Sequence, residues 1–493
     1  MFAIAESPIK RGLIWAGTND GKIQLTRDGG AHWRDVSGNI RGLLDWGTIS
    51  SIEPSRFDSG TAYVAVDGHQ VNNRDPWIYK TTDYGSSWSL ITTGLPHTPL
   101  SYIHIVKEDP ARRGLLYAGA ENGLYVSFDD GGRWQPLQTN LPHAPVYGIA
   151  VQRQFSDLVL ATYGRGFWIL DDVTPLRALT PSLVAQDAAL FAPRPVYRFR
   201  NIEGSFENGD DPVAGTNPPY GASLDFWIRT APRDSSKDSL AIQILDAQGK
   251  VVRTLKQVPS AGVNRVWWDL RYEPTPEAKL RVSPSLAPWF RVKPEGTPAP
   301  GIGRFSLLAS PGRYTVRLLA GGKTYDQPLE LRQDPNTGAS AQDLAAQGAL
   351  LADIVADVDS TVAMVNRVEV VRGQLAALQA SFAGDSGLAD VRAAADTFDK
   401  KLLSVEQDLF QVRVTGRGQD ILRWPMRLAE QLTYLAGSVQ GSDFAPTGPQ
   451  REVQQVLRGQ ARDVRARLDR VMGADLAAFR TFLRSRNLAN GIF

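Results

Sequence analysis

The chain has 493 residues, of which 42% are hydrophobic and 22% charged, an ordinary composition for a globular protein of about three domains. Its 54 Lys and Arg residues against 52 Asp and Glu residues leave a net charge of +2, so composition gives no electrostatic reason to expect a nucleic-acid or membrane partner. Cysteine is absent, which excludes disulfides, thiolate metal sites and cysteine nucleophiles.

The first residues carry neither a basic region nor an apolar segment, and no run of about 18 apolar residues occurs anywhere in the sequence. We therefore expect no export signal at this N-terminus and no membrane span. All 5 histidines precede residue 144, and none has a partner at helical metal-ligand spacing. Phosphate-loop and nucleophile-elbow motifs are also absent, so we expect no metal site and no cofactor.

One pattern, Ser/Thr-x-Asp-x-Gly-x-x-Trp, occurs at 26–33, 81–88 and 127–134. Its interval of about 50 residues suits the four-stranded blade of a β-propeller. In each copy we expect the Asp to accept local backbone N–H groups, the Gly to adopt a left-handed conformation, and the Trp to be buried between blades. Carboxylates engaged in this way are not free for catalysis, so these residues are structural candidates: Asp28, Gly30, Trp33, Asp83, Gly85, Trp88, Asp129, Gly131 and Trp134.

Short β-type runs divide residues 1–175 into four units, the last of which lacks the pattern. The prediction is a partial β-propeller of three to four blades. A propeller closes with roughly four to eight blades, and an open array leaves apolar faces and strand edges uncovered. We therefore expect a second chain, or self-association, to complete the propeller.

The rest of the chain predicts a multidomain protein that is mainly β with an α-helical C-terminus. Residues 176–219, rich in Pro, Gly, Asn and Asp, predict an extended linker. About seven short strands in 220–335 suit an immunoglobulin-like β-sandwich, with a Pro-rich insertion, 274–303, as a long loop. In the strand runs of this region, Trp227 and the pair Trp267 and Trp268 suggest core packing rather than a carbohydrate platform.

After residue 335 the hydrophobic period changes from 2 to 3.6, which predicts a helical bundle over 336–493. Ser340 and Asp343 have the spacing of a capping box at the start of a long first helix.

The run 49–88 and the run 158–172, together with the domain order, resemble the bacterial propeller proteins described as BNR-repeat or sortilin-like glycosyl-hydrolase-type proteins. The resemblance covers essentially the whole chain as the C-terminal half of such proteins. It implies propeller blades marked by Asp-boxes, and a secreted or periplasmic location. The motif is shared by sialidases, xyloglucanases and sortilin receptors, so it specifies the blade and not an activity.

Loops between the second and third strands of each blade lie on one face of a propeller, where ligands bind. Here these loops carry Asp67, His69, Tyr163 and Arg165, which we predict as ligand-binding residues. Asp20 and Glu121 are the weaker candidates for a catalytic acid and base, because Asn-Asp-Gly and Glu-Asn-Gly are ordinary turn sequences.

Two function classes follow. The first is a non-catalytic, sortilin-like recognition or scaffold protein that binds a peptide or a glycan on the propeller loop face. The alternative is a glycoside hydrolase of the xyloglucanase or sialidase sort, or its inactive remnant. We favour the first, because binding needs only rigid loops whereas hydrolysis needs placed carboxylates.

Overall fold

The computed structural model describes residues 1–199, 215–231, 240–415 and 419–488. These residues form two compact units. The first unit comprises 1–191, 225–231 and 260–264, and the second comprises 192–224, 232–259 and 265–493. The structure therefore places most of the predicted sandwich in one unit with the helical region.

The first unit contains four antiparallel sheets in which each strand pairs with the next one along the chain. The first is β1 (Ala3–Glu6), β2 (Ile14–Gly17), β3 (Ile23–Thr26) and β4 (Arg34–Asp35), and the second is β5 (Thr48–Pro54), β6 (Ala62–Asp67), β7 (Trp77–Thr81) and β8 (Ser89–Leu90). The third is β9 (Ile103–Glu108), β10 (Leu116–Ala120), β11 (Gly123–Ser127) and β12 (Trp134–Pro136), and the fourth has three strands, β13 (Val146–Val151), β14 (Leu158–Thr162) and β15 (Phe167–Leu170).

Successive sheets pack face to face, as propeller blades do. The first strands contact one another in order, β1 with β5, β5 with β9 and β9 with β13. One apolar core lies between each neighbouring pair of sheets, and its largest members are Trp15 between the first two, Trp134 between the next two and Tyr117 between the last two. Each sheet thus buries an apolar face against its neighbour, and the cores between the sheets stabilise all four.

The three repeated turns lie between the third and fourth strands and share one hydrogen-bond pattern. In the second turn, Asp83 accepts the Ser87 amide at 2.8 Å, and the Thr81 hydroxyl accepts the Gly85 amide at 2.9 Å. Asp28 and Asp129 accept the amides of His32 and Arg133 in the same way. Gly85 and Gly131 have φ of 76° and 86°, and a Cβ there would come within 2.9 Å and 2.5 Å of side-chain atoms of Val36 and Ile91. Glycine therefore serves both the turn and the close approach of the preceding sheet.

The motif tryptophans differ in burial, and the expectation that all three are buried is wrong for Trp33. Trp134 is 1% exposed and donates through Nε1 to the Ile91 carbonyl at 2.7 Å. Trp88 is half-buried against Trp15, with ring centroids 6.0 Å apart. Trp33 is 43% exposed. Trp88 and Trp134 pack on the preceding sheet, whereas Trp33 belongs to the first of the described sheets.

The predicted linker, 176–219, contains short elements where the structure describes it, and 200–214 lies outside the described residues. These elements are α1 (Thr174–Ala178), α2 (Pro181–Val184), β16 (Ala188–Leu190) and β17 (Val196–Arg198). Asp109, which is fully buried, binds Arg177 at 2.9 Å and so fixes the first of these helices on the third sheet. The described part of the predicted linker therefore contains two short helices and two short strands.

The following strands are β18 (Ala222–Ile228), β19 (Leu240–Leu245), β20 (Val251–Gln257), β21 (Gly262–Trp268), β22 (Lys279–Leu280), β23 (Thr297–Pro298), β24 (Gly312–Ala320) and β25 (Lys323–Gln333). They form a five-stranded sheet in the order β17-β25-β24-β19-β20, a three-stranded sheet β16-β18-β21 and the pair β22-β23. Trp268 is fully buried and Trp267 half-buried, as alternation along a strand requires.

The C-terminal region is helical, with α3 (Ala341–Ser381), α4 (Ala389–Leu409), α5 (Asp420–Arg423), α6 (Leu428–Gln440), α7 (Gly448–Arg470) and α8 (Leu476–Ser485). The Ser340 and Asp343 capping box is present at the start of α3. Among the described helices, none combines the length and apolar character needed to span a membrane.

The Pro-rich insertion, which the sequence predicts as a long loop, contains the short strands β22 and β23 and forms a strap attached to α3. Asn366 accepts the Lys279 amide at 2.8 Å and donates to the Glu277 carbonyl at 3.0 Å. Glu369 accepts the Val282 amide at 3.0 Å. Apolar strap residues join the core of the helices. Prolines restrict the backbone of this segment, and the helix side chains satisfy its free amides.

Candidate functional site

The candidate site is built on β-bulges in the first strands of three consecutive sheets. In each case one residue is skipped by the pairing with the second strand, and the skipped residues are Ser50, His104 and Tyr147. A bulge bends the strand and redirects the side chain of its extra residue. The bulges of the third and fourth sheets therefore direct His104 and Tyr147 towards the loops that follow the second strands.

His104 lies at the centre of this site between two carboxylates. Its side chain is only 4% exposed, its Nε2 lies 2.8 Å from Glu121 Oε2, and its Nδ1 lies 3.6 Å from Asp67 Oδ2. A neutral imidazole has one N–H, so it donates to one carboxylate at a time. His104 thereby ties the loop after β6 to the loop after β10.

Asp67 is the buried carboxylate of the pair. It accepts the His69 amide at 2.9 Å, and its Oδ1 lies 2.7 Å from His69 Nδ1. Burial raises the pKa of Asp67, but the hydrogen bonds from His104 and His69 outweigh burial and leave this pKa below its usual value. Asp67 is therefore an ionised acceptor at neutral pH and not a proton donor.

Aromatic rings surround these groups. Tyr102 stacks on His69 with ring centroids 5.1 Å apart, and Tyr147 stacks on His104 at 3.9 Å. Tyr163 lies 6.0 Å from Tyr147 at an interplanar angle of 49°. Tyr147 and Tyr163 are 53% and 75% exposed, whereas Tyr102 is 7% exposed. The site thus has a buried polar floor and two open tyrosine rings.

We call this set the loop-face cluster and define it as Asp67, His69, Tyr102, His104, Glu121, Tyr147 and Tyr163. Glu121, with a side chain 22% exposed, is its more accessible carboxylate. Burial and a hydrogen bond to Glu121 raise the pKa of Tyr102, so its hydroxyl stays protonated and donates. The cluster can accept hydrogen bonds from a ligand through its carboxylates and stack a ligand on its open rings.

The structure brings four of the six predicted loop residues into this cluster: Asp67, His69, Glu121 and Tyr163. Asp20 lies between β2 and β3, exposed, and its carboxylate accepts the Thr18 hydroxyl. Arg165 lies between β14 and β15, where its carbonyl accepts Trp168 Nε1 at 3.0 Å. Asp20 follows β2 and Glu121 follows β10, in the first and third sheets, and their pairing as acid and base stays a prediction.

Sequence reasoning missed His104, Tyr102 and Tyr147, because it took only the loops between the second and third strands as the binding face. A signal existed in the repeats themselves. The first strands begin Ile49-Ser50, Ile103-His104 and Val146-Tyr147, so a residue that breaks the apolar run recurs at one register position.

No group of three or more metal-ligating side chains is placed to hold a metal ion among the residues that the structure describes. The loop-face cluster therefore offers hydrogen bonding, stacking and carboxylate chemistry from its own side chains.

No family model matches the chain. A curated relative is the oligoxyloglucan-reducing end-specific xyloglucanase of Emericella nidulans, 31% identical over 139 residues, a match that covers 25% of this chain and 15% of that enzyme. The chain therefore matches only a small part of the relative's length.

Among solved structures, the GH74 xyloglucanase of Xanthomonas campestris is 15% identical with a TM-score of 0.28, and covers 67% of this chain and 54% of that one. YCF48 bound to D1 peptide is 16% identical with a TM-score of 0.24, and covers 66% of this chain and 81% of that one. At these TM-scores the structural likeness assigns neither activity nor ligand. The blade assignment rests on the chain's own repeated sheets.

Proposed function

We propose that this protein is a non-catalytic recognition protein that binds a glycan at the loop-face cluster. The observation that carries the proposal is the pair of open tyrosine rings, Tyr147 and Tyr163, beside the carboxylate acceptors Asp67 and Glu121. Sugar rings present apolar faces that stack on aromatic side chains and hydroxyls that donate to carboxylates. The 31% identity to a xyloglucanase over 139 residues agrees with a glycan ligand.

The state of the carboxylates favours binding over hydrolysis. Glycoside hydrolysis needs one carboxylic acid that donates a proton and one carboxylate, placed on either side of the scissile bond. Asp67 is buried, hydrogen bonded to His69, and has a lowered pKa, so it is a poor acid. Asp67 and Glu121 also share His104, which occupies the space between them.

Glycoside hydrolysis is the second candidate, and one observation favours it. Glu121 is partly open to solvent and its Oε2 is fixed 2.8 Å from His104 Nε2. A carboxylate oriented by an imidazole is a suitable general base. The second function therefore depends on Glu121, whereas the first depends chiefly on the tyrosine rings.

One experiment separates the two candidates. Oligoxyloglucans and other neutral oligosaccharides are titrated into the purified protein by calorimetry, and reducing-sugar release is assayed in parallel. We expect binding without turnover, abolished by Tyr163→Ala and retained by Asp20→Asn, the matched control in another loop. Turnover lost in Glu121→Gln would replace recognition with hydrolysis, and no binding to any glycan would refute the proposal. Arg165→Ala tests whether the predicted loop arginine also contacts the ligand.

The remaining sequence predictions extend this proposal to the whole chain. We propose that three to four Asp-box blades present the site, and that an immunoglobulin-like sandwich and the helices act as a scaffold, as in sortilin-like proteins. The face of the fourth sheet exposes Phe167 and Ile169, 78% and 59% respectively, which supports a second chain or second copy completing the propeller. Concentration-dependent light scattering tests self-association.

A further inference from the structure

The loop-face cluster is electrically negative at the place where its rings are open. Burial raises the pKa of the Tyr147 hydroxyl, and the negative charges of Glu121 and Asp67 raise this pKa further. The same two carboxylates act on Tyr102 in the same direction. The negative potential of the carboxylates therefore reaches both hydroxyls of the site.

Few positive charges in the described residues balance this potential. Arg74 is the guanidinium at the cluster, and it lies 6.0 Å from the Tyr102 ring centroid. His69 and His104 each lie within hydrogen-bond distance of a carboxylate, and neutral rings add no charge. Two carboxylates thus face the one guanidinium for which the described residues show a contact with a ring of the cluster, which leaves the contacting groups anionic when the imidazoles are neutral.

The rings add a second attraction for positive charge. One face of Tyr147 is covered by His104 at 3.9 Å, so its exposed part is directed elsewhere, and Tyr163 lies 6.0 Å away and tilted by 49°. Tyrosine faces attract cations that lie within about 6 Å of the ring centroid. Two open tyrosine rings beside a partly exposed carboxylate are the arrangement that favours an ammonium group.

We propose that the glycan bound at the loop-face cluster carries a protonated amino group, as in an oligomer of glucosamine, with the ammonium between Glu121 and the rings of Tyr147 and Tyr163. This inference rests on the proposed glycan-binding function and adds the ligand's charge. A neutral glycan can stack on the tyrosine rings but gives Glu121 no counter-ion. A glycan with an ammonium group can stack on the rings and also pair with Glu121.

The test compares two ligands of equal length, a glucosamine hexamer and an N-acetylglucosamine hexamer, by calorimetry at pH 7 and two salt concentrations. We expect the glucosamine hexamer to bind at least about tenfold more tightly and its affinity to fall with added salt. Glu121→Gln should bring the two affinities together, whereas Glu452→Gln, at an exposed position on α7, should leave the difference unchanged. Circular dichroism confirms that each variant is folded.

The outcomes separate this inference from the proposed function. Equal affinities, both lost in Tyr163→Ala, would overturn the amino-sugar inference and leave glycan binding intact. Absence of binding to both hexamers and to neutral oligosaccharides would overturn both. A glucosamine preference that survives Glu121→Gln would also contradict the assignment, because the preference would then arise elsewhere on the surface.

Discussion

The loop-face cluster and a cluster around Arg372 both place a cationic or imidazole side chain between carboxylates, but they differ in how far solvent can reach them. In the first unit His104 lies between Asp67 and Glu121, and the tyrosine rings beside it are open to solvent. In the second unit Arg372 binds Glu369 at 3.0 Å and Glu406 at 2.5 Å.

We call the cluster around Arg372 the closed cluster, because its side chains are buried among contacts within the fold. Glu369 is 1% exposed and Glu406 fully buried, and Arg372 also binds Asp399 at 2.9 Å on the neighbouring helix. Glu369 accepts strap amides, so the cluster joins the strap, α3 and α4. Similar residue types thus have two roles, and the role depends on whether a ligand can reach the side chains. Charges that are buried away from solvent affect only the stability of the fold, whereas charges beside solvent-exposed rings can bind a ligand.

The largest change in the free energy of unfolding should come from a substitution in the closed cluster. Arg372→Met leaves three carboxylates without their cation, and we expect a loss of about 3–5 kcal/mol in the free energy of unfolding. Lys400→Met, which removes the exposed pair with Asp396, is the control and should change it by less than about 0.5 kcal/mol. Urea denaturation measures both, and similar losses would break the distinction between buried and exposed charges.

The open cluster should be less sensitive, but not neutral, at its buried carboxylate. Asp67→Asn weakens the charge-assisted hydrogen bond from the His69 amide and the attraction between His104 and the carboxylate, and we expect a cost of about 1–3 kcal/mol. Asp20→Asn, on an exposed loop, should cost less than about 0.5 kcal/mol. If Asp67→Asn and Asp20→Asn lowered the thermal stability equally, the hydrogen bonds of Asp67 would not help to hold the site in place.

Glu406 predicts a pH dependence in the closed cluster. Burial, and then the charge of Glu369, raise the pKa of Glu406 well above its usual value, while Arg372 lowers it. Its buried Oε1 has no hydrogen-bond partner among the described residues, which suits a protonated acid beside Glu369. With a raised folded pKa, its contribution to stability is complete below the unfolded pKa and is lost as pH rises towards the folded value.

Glu406→Gln retains the neutral shape and removes this titration. The variant should gain stability relative to the parent protein as pH rises from about 4.5, by up to about 1.4 kcal/mol per pH unit. Denaturation curves at several pH values measure the difference. Glu452→Gln, at an exposed position on α7, should show no such trend. A pH-independent difference for Glu406→Gln would mean that Glu406 is ionised in the folded protein.

The smallest effect on stability should come from the open ring. Tyr163 is 75% exposed, so Tyr163→Ala should change the free energy of unfolding by less than about 0.5 kcal/mol while abolishing glycan binding. Calorimetric unfolding and ligand titration on the same sample test both parts. A large loss of stability would make Tyr163 a packing residue and remove the contrast with the closed cluster.

The repeated local features could be predicted from sequence because they depend on neighbours along the chain. The turn of 81–88 is determined by Thr81, Asp83 and Gly85, whose hydrogen bonds and φ angles involve only the same hairpin. The Ser340 and Asp343 capping box is equally local. Strand periodicity placed the loops that carry Asp67, Glu121 and Tyr163 on one side of the sheets, because the side of each loop follows from strand order.

Packing between sheets decided what periodicity could not. Trp33 and Trp134 occupy the same motif position, yet one is 43% and the other 1% exposed, because burial depends on the preceding sheet. His104 and Tyr147 reach the site through bulges, and a bulge is a property of two paired strands. The Pro-rich strap likewise took its conformation from Asn366 and Glu369 on a distant helix.

The sequence alone therefore determined the strand and helix regions, the turn chemistry and most of the loop residues of the candidate site, since these follow from short-range hydrogen bonding and the period of apolar residues. Only the tertiary structure determined which of those loops meet and that His104 joins Asp67 to Glu121. The physical reason is range: a turn is stabilised by atoms a few residues away, whereas a site is stabilised by strands brought together only after the sheets have packed.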